Sequence, residues 1–196
     1  MYESQFDLRH LELAVELTEK QREWFEDREQ GGFFSSAAGD ASLVLRVKED
    51  YDGAEPSGNS VAVSNLLRLA EMTNRSEFRE SAERALAAFA PRLGAAPVTL
   101  PQMLAACEFL RGEPREIVLV GAKEDGGTRA LVRVLNSRFV PNRVVLLVDS
   151  GPTRKALAAW APAIASMDQA GAYVCRNFTC QLPVSEPSAF AELIQY

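Results

Sequence analysis

The sequence predicts an α+β fold, with antiparallel helical hairpins followed by a small α/β layer built on a short, mostly parallel sheet. Three observations predict it. Residues 1–112 carry apolar side chains near helical spacing, punctuated by glycine and proline. Beyond residue 113, short continuous apolar runs alternate with helical patterns, the mark of a parallel α/β layer. The 196 residues, 47% hydrophobic and 24% charged, suffice for one large domain or two small ones and do not have the composition of a disordered chain. The boundary is placed near residue 113, with helical hairpins over 1–112 and an α/β subdomain over 113–196.

Taken in order, Asp7 can cap a helix with apolar positions at Leu8, Leu11, Val15, Leu17, Trp24 and Phe25. Gly31 and Gly32 stop it. Phe33-Phe34 and the apolar run 43–47 flank a small Ala38-Gly39-Asp40 loop, which predicts a short β-hairpin. A polar stretch, 48–60, leads into a helix over about 59–72, with Leu66, Leu67 and Leu69 inward. Asn74 with Glu77 has the form of a capping box opening a helix that buries Phe78, Ala82, Ala85, Leu86 and Phe89. Thr99 and Pro101 open a fourth helix through Leu104, Cys107 and Leu110, ended by Gly112 and Pro114. Residues 116–120 and 143–148 are buried strands, and 172–175 is a weaker third. Helices are expected at about 128–139, 153–160 and 187–194.

Charge excludes some function classes. The net charge is −6, and the imbalance lies in residues 1–57, with 14 acids against 6 bases. The bases of the remainder are scattered, so a nucleic-acid partner has no electrostatic footprint. No apolar run approaches the roughly 20 residues of a membrane span, and no export signal opens the chain, so no membrane partner is expected and the expected compartment is the cytoplasm. Three cysteines, Cys107, Cys175 and Cys180, are then expected to be reduced thiols. With one histidine, His10, and no strong zinc spacing, neither a metal site nor a cofactor is expected.

Four motifs occur in fixed order: Gly31-Gly32-Phe33-Phe34; the segment 48–60, Lys-Glu-Asp-Tyr-Asp-Gly-Ala-Glu-Pro-Ser-Gly-Asn-Ser; residues 116–121, Glu-Ile-Val-Leu-Val-Gly; and residues 172–184, Ala-Tyr-Val-Cys-Arg-Asn-Phe-Thr-Cys-Gln-Leu-Pro-Val. Together they resemble the C-terminal part of the spermatogenesis-associated, thioredoxin-domain protein family, which has many bacterial members of uncharacterised function. The resemblance covers essentially the whole chain. It implies a longer parent protein that begins with a thioredoxin-like domain and continues into an (α/α) toroid related to six-hairpin glycosidases and N-acylglucosamine epimerases. The helical half would then be the end of that toroid, and the thioredoxin-like domain a partner. Neither that domain nor the earlier hairpins are in this sequence.

The acidic segment is the leading candidate site. Asp50, Asp52 and Glu55 are candidate catalytic carboxylates. Lys48, Tyr51, Asp52, Ser57, Asn59 and Ser60 are candidate ligand-binding residues, since carboxylates and amides pair with sugar hydroxyls while an aromatic ring covers the apolar sugar face. The competing view is that Ser57 or Asn59 merely caps the next helix. On the binding view, Asp52→Ala spares the melting temperature and abolishes a sugar-induced shift. Cys175 and Cys180 are redox candidates, although their spacing is not that of oxidoreductases, and two structural thiols with Phe178 folded over a core is the simpler account. The loop 121–128 joins a strand to a helix as a phosphate site would, but Glu124 and Asp125 oppose an anion, so a plain connection is expected. His10 is read as a lone surface residue and Cys107 as core; Trp24-Phe25 and Phe33-Phe34 could stack on a sugar, but their spacing and glycine neighbours favour core, packing a helix end onto the hairpin.

Three functions follow: a non-catalytic region that completes a toroid with possible carbohydrate binding; a carbohydrate-active isomerase, epimerase or glycosidase using the 48–60 loop; and a thiol redox or nucleotide module. Whether the chain is an enzyme stays open. Uncovered helix faces are expected to drive self-association.

Overall fold

The computed structural model describes residues 1–39, 42–149, 151–176 and 179–195. Asp40, Asn177 and Phe178, which carry parts of the expected hairpin tip and cysteine turn, lie outside the described residues. The chain is mostly helical with a small four-stranded sheet. It divides into two compact units, one of Leu11–Ala70 and Arg75–Arg111, the other of Met1–His10, Glu71–Asn74 and Gly112–Tyr196. The division is not strictly linear, because two short stretches group with the sheet.

The helical unit holds α2 (Leu8–Phe25), α3 (Gly58–Thr73), α4 (Ser76–Ala95) and α5 (Pro101–Arg111), following a one-turn α1 (Tyr2–Gln5) at the start of the chain. Asp7 caps α2 as expected, its Oδ1 accepting from the Arg9 amide at 3.1 Å. The helix stops at the paired glycines, both in the left-handed region, where a Cβ on Gly31 would collide with the Arg84 backbone. Leu11, Val15 and Thr18 face the core, whereas Leu17 is 60% and Trp24 49% exposed. The predicted apolar stripe of α2 is therefore two stripes, one of them open.

Three other local expectations change. No strand forms over 43–47. Leu43, Val44, Leu45 and Val47 are exposed, and the segment is held as a loop by Arg46, which donates to Ser36 O at 2.7 Å and lies 4.0 Å from the Phe34 ring centre. A two-stranded ribbon alone is marginal in water, and none of the described residues buries this apolar run. Asn74 does not open a capping box. It sits at φ 54° after α3, while Glu77 pairs with Arg75. The buried face of α5 is Met103, Ala106 and Phe109, one residue away from Leu104, Cys107 and Leu110. The stripe of α4 (Phe78, Ala82, Ala85, Leu86, Phe89) is buried in full.

The sheet unit holds β1 (Arg115–Val120), α6 (Gly126–Asn136), β2 (Arg143–Val148), α7 (Pro152–Trp160), a 3₁₀ turn (Pro162–Ser166), β3 (Gly171–Arg176), β4 (Thr179–Cys180) and α8 (Pro187–Leu193). Strand order is β2-β1-β3-β4. β1 and β2 are parallel, but β3 runs antiparallel to β1 and β4 antiparallel to β3, so the sheet is mixed rather than mostly parallel. A buried run such as Ala172–Val174 reads alike in either direction, which is why periodicity could not assign it. The edge of β2 is covered locally: Val145 and Leu147 donate their amides to Glu3 Oε1 and Tyr2 Oη, which explains why α1 groups with the sheet. One sheet face packs Ile117, Leu119, Val145, Leu147, Ala172 and Val174 against α6 and α8.

Candidate functional site

The acidic segment folds into helix-start chemistry. Asp52 is buried, and both its carboxylate oxygens accept backbone amides: Oδ1 from Ser57 at 2.8 Å and Oδ2 from Gln102 at 2.9 Å. Its own amide donates to Thr99 O at 2.8 Å. One side chain thus ties together the first residues of α3 and α5. Burial alone would raise its pKa, but the hydrogen bonds from Ser57, Ser60 and Gln102 outweigh burial and hold it below the usual carboxylate range. Ser57 is the N-cap of α3, its Oγ accepting the Ser60 amide at 3.2 Å and donating to Ser60 Oγ at 3.0 Å. Loss of Asp52 therefore frees two helix ends, so these contacts lead to the opposite expectation for Asp52→Ala, a lower melting temperature rather than an unchanged one.

The other candidates are equally engaged or dispersed. Asn59 is buried and stitched to the preceding loop, with Oδ1 accepting from Phe33 N at 2.7 Å and Nδ2 donating to Phe33 O at 2.9 Å and Glu49 O at 3.2 Å. Lys48 Nζ donates to Asp27 Oδ2 at 2.8 Å and Gly31 O at 2.7 Å. Tyr51 and Glu55 are exposed, and Asp50 is exposed with an ion-pair distance of 3.4 Å to Arg92.

A groove does exist in the helical unit, built from other residues. It encloses about 720 Å³ between the open stripe of α2, residues 33–35 and the start of α3. Ala14, Leu17, Thr18, Gln21, Trp24 and Phe25 line it at spacings of three and four along α2. Facing them are Phe34, Ser35, Asn59, Asn65 and the carboxylate of Glu49, whose Oε2 lies 3.4 Å from the Gly58 amide. Lys20 stands 5.7 Å above the Trp24 ring. Of the sequence candidates only Asn59 lines this groove, and Asp50, Asp52 and Glu55 do not. Phe33 is core as expected, while Trp24 belongs to the groove wall. The signal in the sequence was the second apolar stripe of α2, hidden because both stripes satisfy helical spacing. Glu26 was also missed: its carboxylate is buried and accepts from Ser81 at 2.6 Å and Arg84 at 2.7 Å.

In the sheet unit, Cys175 and Cys180 are joined by a disulfide across the β3–β4 pair, against the expectation of reduced thiols. A gap of four residues places them opposite one another in a tight hairpin, a pairing that only the strand register reveals. Cys107 is a free, partly buried thiol whose pKa burial pushes up. His10 is partly buried rather than on the surface. At the 121–128 loop, Asp125 caps α6 by accepting the Thr128 amide at 2.9 Å, and the hydrogen bond from that amide holds its pKa low. The helix start already carries its own anion. No helix among the described residues is long and apolar enough to cross a membrane.

Comparison with known proteins gives relatives along the whole chain. It is 37% identical over 199 aligned residues to spermatogenesis-associated protein 20 of Homo sapiens and 35% identical to that of Mus musculus, covering 99% of this chain in each case. An uncharacterised Caenorhabditis elegans protein is 32% identical over 162 residues, covering 83% of this chain. The chain spans about a quarter of the length of these relatives. No family model matches it.

Proposed function

Because the chain is related along its length to spermatogenesis-associated protein 20, of which it spans about a quarter, we propose that it is a non-catalytic part of a longer protein of that kind, and that its groove binds a carbohydrate-like ligand. The observation that supports this best is the groove lining: Trp24 offers a half-exposed ring, and Glu49, Gln21 and Asn65 offer acceptors and donors around it. An apolar ring face beside amides and a carboxylate is the chemistry that a polyhydroxylated ring needs. Against catalysis stands the engagement of Asp52, since hydrolysis of a glycosidic bond calls for two available carboxyl groups and, among the described residues, only Glu49 lines the groove with one.

The test is a thermal-shift screen of neutral sugars, sugar phosphates and nucleotides on the parent and on Trp24→Ala. A shift with neutral sugars that disappears in Trp24→Ala is the expected result. A flat screen, or equal shifts in both proteins, sinks the binding assignment and leaves a scaffold role.

The exposed side chains of Val44, Leu45 and Val47 support a second part of the same proposal, association with a second copy or with further chain of the longer protein, such as a thioredoxin-like domain or the remainder of a toroid. Sedimentation velocity should show a dimer or larger species. A strict monomer at high concentration would count against self-association.

A further inference from the structure

Three side chains form a row across adjacent strands of the sheet. Glu116 on β1 lies directly opposite Cys175 on β3, and Cys175 lies directly opposite Cys180 on β4. Residues directly opposite in antiparallel pairs project to the same face, with Cβ atoms about 4.5–5.5 Å apart. The side chains of Glu116 and of the two disulfide cysteines therefore project to one face of the sheet, the face away from the α6 and α8 core. Cys175 is 1% exposed, whereas Cys180 is only partly buried. Cys180 and Glu116 share the wall of a cavity of about 80 Å³ with Glu71, Asn74, Ala161, Ile164 and Met167.

This arrangement answers a specific chemical difficulty. When a thiolate attacks a disulfide, the departing sulfur carries the negative charge. Cys175 would depart into an apolar, water-poor site, where a thiolate is costly unless it is protonated at once. A carboxyl group opposite it can supply that proton, provided it stays protonated near neutral pH. Burial, and then the charge of Glu71, push the Glu116 pKa up to about 7. Glu71 is the other titratable group on the cavity wall, and Arg115 beside Glu116 is engaged with the carbonyls of Ile194 and Gln195.

We propose that the Cys175–Cys180 disulfide is a redox-exchangeable pair for a dithiol reductant, in which Cys180 receives the incoming thiolate and Glu116 protonates the departing Cys175 sulfur. The incoming thiolate forms a bond to Cys180 Sγ as the Cys175–Cys180 bond breaks, and its electron pair leaves on Cys175 Sγ. The carboxyl proton of Glu116 passes to that sulfur, and the carboxylate regains a proton from water. The second thiol of the reductant, as its thiolate, then displaces Cys180, which takes up a proton. Two electrons and two protons move from the dithiol, which becomes a cyclic disulfide, to the protein, which becomes a dithiol.

The test measures reduction by dithiothreitol from about pH 5.5 to 9, with each rate divided by the fraction of reductant present as thiolate. In the parent this normalised rate should fall about tenfold as pH rises, with an inflection near the Glu116 pKa. Glu116→Gln should lie at the low level throughout, with no inflection. Glu71→Gln should keep the fall but move it to lower pH. A flat parent profile, or Glu116→Gln following the parent, would overturn the proposal. So would three free thiols in the air-oxidised protein after denaturation. With glutathione disulfide, Cys175→Ala should form a mixed disulfide at Cys180 quickly, and Cys180→Ala should react slowly at Cys175. The reverse order would overturn the assignment of the entry sulfur. Melting curves of each variant over the same pH range separate an unfolded variant from a slow one.

Discussion

The acidic segment and the Glu116–Cys175–Cys180 row place polar chemistry in opposite ways. In the first, thirteen consecutive residues look rich in function, yet the buried members spend their polar atoms on backbone. Asp52 accepts two amides, Asn59 makes three hydrogen bonds and Ser57 caps a helix. In the second, a carboxyl and two sulfurs come from positions up to 64 residues apart, and the carboxyl is held in a site that disfavours its charge. Helix starts consume polar side chains because each leaves amides unsatisfied. The central strand β1 has no such deficit, because its backbone is paired with β2 on one side and β3 on the other, so a carboxyl on its face keeps its proton chemistry.

The sharpest way to break this comparison is Asp52→Ala. It should lose about 2–4 kcal/mol of stability, the sum of two lost caps and a buried amide left unpaired, read by denaturant unfolding. An unchanged midpoint would mean that Asp52 is not structural and would return it to the list of ligand groups. Next is Glu116→Gln, followed by stability against pH. The folded pKa of Glu116, about 7, lies above the ordinary 4.5. The folded state therefore binds more protons between those values, and parent stability should fall as pH rises from 4.5 through about 7. The difference reaches up to about 3 kcal/mol, so Glu116→Gln should match the parent at low pH and exceed it at pH above about 7. Parallel curves would remove the carboxyl from its special environment.

Lys48→Met is a smaller test, expected to cost about 1 kcal/mol. Lys48 holds the Asp27 pKa below its ordinary 3.8, so the stability of the pair is present above that value and is lost as pH falls through the folded pKa. A cost that persists unchanged into strong acid would show that packing on Phe34, 4.9 Å from the ammonium, carries the effect instead. Smallest is Trp24→Ala, which should change stability by less than about 0.5 kcal/mol while removing sugar binding. A large loss of stability would make Trp24 core rather than groove wall.

What the sequence by itself determined is local. Four long helices and three of the strands follow from apolar spacing, because a helix or strand that buries one face must repeat its apolar side chains at its own period. Bounds such as Arg143–Val148 and the fully buried stripe of α4 were legible for that reason. The capping roles of Asp7 and the Pro-Ser-Gly-Asn-Ser run were legible too, since caps act within three residues of the amides that they satisfy. What only the tertiary structure decided depends on distant partners. The direction of β3, the second, open stripe of α2, the burial of Glu26 and the bond between Cys175 and Cys180 leave no periodic mark. The same holds for the leading site. Asp52 reaches the start of α5 fifty residues away, and Glu116 meets Cys175 only because β3 returns antiparallel along β1. A contact between distant residues is set by the lowest free energy of the whole packed chain, and no short window of sequence contains both partners.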